Sequence, residues 1–418
     1  MRDERTEVLV VGAGPVGLFS ALLLADAGLQ VNIIDREQRT AARSYACALH
    51  AQTLRLFARL NLAAPLLELG RRVSTVAFYD HETRRAEINL TELQGDFPFL
   101  LILPQNAVES LLEQKLRQAG VNVHWNHRLD ALQDETEEVV ATVEELGGTA
   151  TGYIVPHWEM VVKRRSEVRA QFILGADGHH STVRQRLGIE SQRVAGPFFF
   201  AAYEFESDPA NDSELRVVLD NTTTNVLWPL PGNKYRWTFQ LAHPHSGTEF
   251  PEKERRAVRL AQPGVDEKIK DYVQRAAKNR APWFSAPVKD IAWCTEVVFE
   301  QSLARQFGRN RSWLVGDAAH QTGPVGVQSM NVGFAEAATL AAEILKVSRQ
   351  TSPPELLETC ERQCQAEWKR LLGLTGGLKT RNNTNPWVRD RAARILPCLP
   401  ASDGDLTALA SQLSLDYP

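Results

Sequence analysis

Three glycines at the head of the chain are spaced for phosphate chemistry. Gly12-Ala-Gly14-Pro15-Val16-Gly17 follows the apolar run 7–11, and a Leu- and Ala-rich stretch over 16–27 comes next. That order reads as a buried strand, a tight turn and a helix. Gly12 suits the turn, Gly14 admits a pyrophosphate close to the backbone, and Gly17 lets helix and strand approach each other. An anion held there would meet free N–H groups and the positive end of the helix dipole. Asp35, eighteen residues after Gly17, closes a second apolar run beginning at Val31, where a carboxylate suits the two hydroxyls of a ribose. The chemistry is dinucleotide binding. The motif by itself serves flavin and nicotinamide proteins alike.

The elements that must position this turn belong to an ordinary globular chain. A length of 418 residues allows two or three compact units. With 43% hydrophobic and 23% charged residues, disordered, collagen-like and coiled-coil classes are excluded. A net charge of −4 offers no basic field for nucleic acid or anionic lipid. Five cysteines, at 47, 294, 360, 364 and 398, are odd in number and scattered, which argues against a secreted disulfide framework. Cys360 and Cys364 lie one helical turn apart with no histidine nearby, so they read as a helix face and no metal site is expected. The charged start Met1–Arg5 has no apolar signal-peptide core, and no run of about 18 apolar residues predicts a membrane span. A cytoplasmic location is expected.

Along the chain, helical stretches are expected around 47–60 and 105–119. Short β-type runs follow over 121–175, with Asp134–Glu138 as a solvated turn. Residues 195–245, rich in aromatic and β-branched types, read as antiparallel sheet. A charged helical region over 252–280, a strand near 312–316, an Ala-rich helix over about 331–347 and a largely helical tail from 353 complete the pattern. The expected fold class is α/β, a Rossmann-like nucleotide domain with an inserted antiparallel β-sheet domain and a C-terminal helical segment.

Two later segments choose between flavin and nicotinamide. Residues 173–184 read Ile-Leu-Gly-Ala-Asp177-Gly-His179-His180-Ser-Thr-Val-Arg184, and 314–320 read Leu-Val-Gly-Asp317-Ala-Ala-His320, with Pro324 beyond. Together with Arg43, Leu49-His50-Ala-Gln-Thr-Leu54 and Leu103-Pro104-Gln105 followed by Glu109, they resemble the group A flavoprotein aromatic hydroxylases of the para-hydroxybenzoate hydroxylase fold. The branch most resembled is that of the aromatic-polyketide and phenol hydroxylases. The likeness covers about residues 5–190 and 290–345.

The resemblance implies an FAD-binding domain made of 1–75, 100–190 and 288–350, a β-sheet substrate domain made of 76–99 and 191–287, and a C-terminal helical segment over 351–418. It implies a monooxygenase that consumes NAD(P)H and inserts one oxygen of O2, through a C4a-hydroperoxyflavin, into an aromatic or polycyclic small molecule. No second G-x-G-x-x-G is present, which fits a family whose NAD(P)H binds without a domain of its own. Residue by residue, the resemblance places Gly12, Gly14, Pro15, Val16 and Gly17 on the FAD phosphates. Asp35 and Arg36 would lie by the adenosine ribose, and Arg43 and Gln105 on the pyrophosphate and ribityl side. Asp177 would sit near the pyrophosphate and Asp317 on a ribityl hydroxyl. Gly326, Met330 and Asn331 would form the loop and helix start facing the flavin ring, with Pro324 close to where oxygen transfer occurs. His320 is expected to pack locally, and His179 and His180 to sit in a loop by the pyrophosphate.

The chain departs from the family at that loop. Where the family reads Pro-x-Gly-Gly-Gln-Gly-x-Asn, this chain has Val327 and Ser329 in place of two glycines, and Glu336 stands for an aspartate. A β-branched residue resists positive φ, so an altered loop is expected. That expectation motivates an alternative, an FAD-binding scaffold for a non-redox cyclisation or rearrangement. The chain's last residues resemble the junction before the family's thioredoxin-like third domain, so that domain is expected to be absent. Tyr203, Trp228, Tyr235 and Trp237 are candidate substrate contacts, with alternation allowing about half of them to face a pocket. Tyr203 and His50 are candidate bases. A monomer or homodimer is expected.

Overall fold

A computed structural model describes residues 4–39, 46–135, 137–151, 157–208, 213–242 and 265–417. The first strand, Glu4–Val11, has Val8, Leu9 and Val10 fully buried, and it pairs in parallel with Val31–Ile34 on one side and with the end of His157–Gly175 on the other. An apolar run without alternation therefore becomes an interior strand. The helix Pro15–Asp26 follows at once, and Gly28, at φ 82°, turns the chain back to the sheet. Val123–His124 and Ser312–Leu314 extend the parallel core. Asp35 and the 12–17 turn thus come to the same carboxyl end of neighbouring strands, where ligands of open α/β sheets bind.

Two local expectations are corrected. The stretch expected as helix over 47–60 begins with a short strand, Ala48–Leu49, paired to Leu101–Ile102, and its helix is Ala51–Ala58 with His50 at the N-cap. The runs over 121–175 are not all short. Val139–Thr151 and His157–Gly175 form a hairpin of 13 and 19 residues that outruns its neighbouring strands. Among the described residues beyond those neighbours, 160–165 are exposed, so no buried face there marks in the pattern how far the ribbon extends.

The second sheet runs in the order His320–Gln321, Ile291–Ala304, Ser191–Glu206, Lys234–Leu241, Thr224–Leu230, Glu214–Leu219, Thr75–Asp80 and Thr83–Asn89. Ile291–Ala304 pairs antiparallel with Ser191–Glu206, so this sheet reaches past the boundary drawn at 288. The helix Val265–Arg280 covers one face. Beneath it lie Tyr203, Phe205, Tyr235, Trp237 and Phe239, packed with Ile269, Val273 and Ala277. The helices Glu355–Leu371, Pro386–Ile395 and Asp403–Gln412 close the molecule. Among the described residues, no helix is long and apolar enough to cross a membrane, and no group of His, Cys, Asp and Glu could hold a metal ion.

Candidate cofactor-binding site

The Gly12–Gly17 turn is dictated by backbone crowding. Gly12 has φ 105°, and a Cβ there would lie 2.3 Å from the Ala176 carbonyl oxygen. At Gly17 a Cβ would lie 2.0 Å from the Gly12 carbonyl oxygen. Neither site admits a side chain. Gly14 differs, because a Cβ there would meet nothing within 4 Å. It serves as N-cap of the following helix, which has no side-chain cap and no acid in its first turn. The free N–H groups of that helix thus face open space, as an anion site requires.

A groove crosses this helix end. On one side it is lined by Gly12, Asp35, Arg36, Asp177, Gly178 and Thr182. On the other it runs past Pro15, Val16, Ala46 and Gln105 to Asp317 and then to the loop formed by Gln321, Thr322, Gly323, Pro324, Val327, Ser329 and Met330. Gly14, Ala176 and Gly178 belong to both halves, so the two are continuous. Phe299, from the second sheet, walls the far half.

Three carboxylates mark its length. Asp35 accepts the Ala13 N–H at 2.6 Å on one oxygen and the Glu37 N–H at 2.8 Å on the other, which aims it across the turn. Asp177 accepts from the Ser181 hydroxyl at 2.5 Å and the Thr182 N–H at 2.6 Å, capping the short helix Thr182–Arg186, and burial pushes its carboxyl up. Asp317 opens into the groove while protein packs around it, and that burial raises its carboxyl, opposed by His320 and by a hydrogen bond with Gln321. Arg184 ties the two later motifs together, donating to the Ala318 carbonyl at 2.6 Å and the His179 carbonyl at 2.8 Å.

The far loop is held from several directions. Val327 takes φ 50° and ψ 35°, the left-handed region, and is the N-cap of the helix Gln328–Ser348. The resistance of a β-branched residue to positive φ is therefore overridden here, at a cost of about 1–3 kcal/mol. Ser329 Oγ accepts the Thr322 N–H at 2.8 Å, fastening the loop across its base. His50 Nε2 is 2.8 Å from the Gly326 carbonyl oxygen, and burial lowers its pKa to about 4, so the neutral ring donates there. His320 sits 2.5 Å from Glu336 and stacks on Trp368 with centroids 3.7 Å apart, the local packing expected of it.

The description of the matching family model is "FAD binding domain", and the match runs over residues 5–374. The chain belongs to this FAD-binding family. Among curated relatives, 6-methylpretetramide 4-monooxygenase of Streptomyces rimosus is 30% identical over 380 residues, which is 88% of this chain and 61% of the relative. Pentachlorophenol 4-monooxygenase of Sphingobium chlorophenolicum is 26% identical over 360 residues, 84% of this chain and 60% of its own. The chain thus spans about three fifths of the length of these relatives. The fold matches that of p-nitrophenol 4-monooxygenase PnpA from Pseudomonas putida DLL-E4, with a TM-score of 0.72 at 20% identity, covering 97% of this chain and 93% of that one.

The groove fits FAD. It is elongated, it has one helix N-terminus at its middle with nothing occupying the space over Gly14, and it ends beneath a second helix start. Of the residues expected on FAD, Gly12, Gly14, Pro15, Val16, Asp35, Arg36, Gln105, Asp177, Asp317 and Met330 line it, as does Pro324. Gly17 supports it from behind. Arg43 lies outside the described residues. Two placements differ from expectation. Gly326 faces the C-terminal segment, its N–H donating to the Pro397 carbonyl at 2.9 Å, with room for a Cβ denied by that same oxygen at 2.6 Å. The Asn331 side chain is spent inside the protein. Its oxygen accepts the His50 N–H and the Thr53 hydroxyl, each at 2.8 Å, and its amide donates to the Ala48 and Val327 carbonyls at 3.0 and 2.8 Å. Ala46, Phe299 and Thr322 line the groove without a sequence signal, whereas Gly178, in the Gly-Ala-Asp-Gly segment, and Val327 and Ser329, in place of loop glycines, had one.

The candidate substrate contacts are largely corrected. Tyr203, Tyr235 and Trp237 face the helix Val265–Arg280 and are fully or almost fully buried there. Strand alternation puts the intervening residues on the other face, where Trp228 belongs. There Arg236 stands opposite both Glu204 and Trp228, donates through Nε to Glu204 at 2.9 Å and stacks over Trp293 at 5.0 Å. That face turns to the FAD unit, since Trp228 is buried in one cluster with Cys47, Ala48 and Leu49, and burial raises the Cys47 thiol to about 11. Aromatic residues on alternate positions beside an amphipathic helix are a core pattern, and that was the signal available.

Proposed function

We propose that the chain is an FAD-dependent monooxygenase that consumes NAD(P)H and inserts one oxygen atom of O2 into an aromatic or polyketide-type small molecule. The observation that carries this reading is the continuous groove from Asp35 to the Pro324–Met330 loop, closed on its far side by Phe299 of the second sheet. The monooxygenase activities of the relatives support the reaction class. The five free cysteines support a cytoplasmic location, with a monomer or homodimer as the working form.

FAD, when bound, supplies the hydride acceptor and the activation of O2. The chain supplies position and field. Asp35 would accept from the adenosine ribose, the helix end at Gly14–Pro15 would hold phosphate, and Gln105 and Asp317 would meet the ribityl side. Asp317, open to the groove, would accept a hydrogen bond from a hydroxyl there. The helix Gln328–Ser348 carries no acid in its first turn, so its positive end would favour a negatively charged group placed over it. The substrate would lie between the ring and the second sheet, on the side where Phe299 walls the groove. Neither base candidate serves. Tyr203 is on the wrong face, and His50 is buried against Gly326.

The non-redox alternative is not favoured. Its motive was a loop unable to adopt the glycine conformation, and Val327 adopts a left-handed one. Turnover of a panel of polycyclic phenols under oxygen-18 gas tests the proposal. One labelled oxygen in the product, with NAD(P)H consumed, is the expected result. Product lacking label, or formed without NAD(P)H, contradicts it.

A further inference from the structure

The segment 391–399 touches both the second sheet and the loop that lines the far half of the groove. On the sheet side, Arg394 donates to the Asp220 carbonyl at 2.5 Å, to the Thr223 carbonyl, and to the Thr224 hydroxyl at 3.2 Å, and Arg391 reaches the Leu219 carbonyl at 3.4 Å. These groups form the turn between Glu214–Leu219 and Thr224–Leu230, the hairpin that carries Trp228. Asp220 closes the same turn, accepting the Thr222 and Thr223 N–H groups at 2.9 and 2.5 Å. On the flavin side, two to five residues further on, Pro397 accepts the Gly326 N–H, and Gln328 donates to the Leu396 and Leu399 carbonyls, both at 3.1 Å. These two anchors flank Val327, the strained residue that lines the groove.

We propose that this short segment is a rigid link between the substrate sheet and the cofactor loop, and that Arg394 is a positioning residue for that loop, acting through the 396–399 carbonyls. A left-handed valine persists only where its surroundings over-determine it. Carbonyls at 396, 397 and 399 do so from one side, and they are themselves held by the guanidinium grip on 220–224. A shift of the sheet on filling with substrate is thereby passed to the loop on which the flavin ring rests. This rests on the reading that the 322–331 loop lies beneath the ring.

Amide exchange of the apoprotein tests it without any cofactor. Arg394→Ala is expected to speed exchange over 322–331 as well as over 219–224, with Arg394→Lys restoring part of the protection. Gln328→Ala combined with Arg394→Ala is expected to depart from additivity by more than about threefold, as residues of one network do. In the FAD-loaded protein, Arg394→Lys, which keeps the fold if the alanine variant does not, is expected to alter the visible flavin spectrum and slow reduction by NADPH about 10-fold. Faster exchange confined to 219–224, or additive effects, overturns the link. A protein that binds no FAD contradicts the functional reading and leaves the exchange result standing.

Discussion

Two turns line the groove, one at its middle and one at its far end, and they are built on opposite principles. At Gly12–Gly17 the backbones of strand, helix and the Ala176 segment converge so closely that only glycine fits. At 322–331 the resembled family carries glycines, yet this chain folds a left-handed turn with Val327 and Ser329. The first turn is made by local sterics. The second is imposed by partners far away in sequence, His50 and the 396–399 carbonyls, together with Asn331 four residues on from Val327. Glycine is necessary where atoms collide, and replaceable where a conformation is merely disfavoured and other contacts offset the cost.

The largest effect expected from this contrast is at Gly17. Gly17→Ala destabilises the protein by about 3 kcal/mol or more, read as a lower urea midpoint, because the new methyl meets a carbonyl oxygen that cannot move independently. A tolerated alanine would erase the distinction between the turns.

At the second turn, His50 adds a pH dependence. Its ring is neutral when folded, with a pKa near 4, against an ordinary value near 6.5 in the unfolded chain. Between those values the unfolded state binds more protons, so stability falls as pH drops from 6.5 towards 4, by about 2–3 kcal/mol. His50→Gln keeps a donor for Gly326 and is expected to remove that slope. Urea midpoints at both pH values, wild type against variant, check it; equal slopes refute it.

A paired substitution separates strain from burial. Val325 and Val327 are both buried, at 4% and 6% exposure, but only Val327 has positive φ. Val325→Gly is expected to cost about 2–3 kcal/mol, and Val327→Gly less than about 1, because relief of strain offsets the lost burial. Equal costs would show that the left-handed valine bears no strain. The smallest effect is at Ser329, where removing the hydroxyl in Ser329→Ala costs about 1 kcal/mol and speeds amide exchange at Thr322.

The same contrast explains what was legible in the sequence. The nucleotide half could be read because each step is local, with an unbroken apolar strand, a crowded turn, a helix start and an acid at the next strand end. The loop could not, because its conformation is set by a segment some seventy residues downstream. Substrate contacts failed for a related reason. Tyr203, Tyr235 and Trp237 were rightly placed in a sheet, but the side on which the sheet is covered depends on where Val265–Arg280 packs, and a one-residue change of parity exchanges core for pocket. Asn331 likewise has the right position and a different task, since four internal hydrogen bonds consume its amide.

The most direct measurement is anaerobic mixing of the FAD-loaded protein with NADPH or NADH, following flavin absorbance with and without polycyclic phenols. The account predicts bleaching that one of the phenols accelerates. Bound flavin that dithionite reduces, yet that neither nucleotide bleaches with any member of the panel, would contradict it.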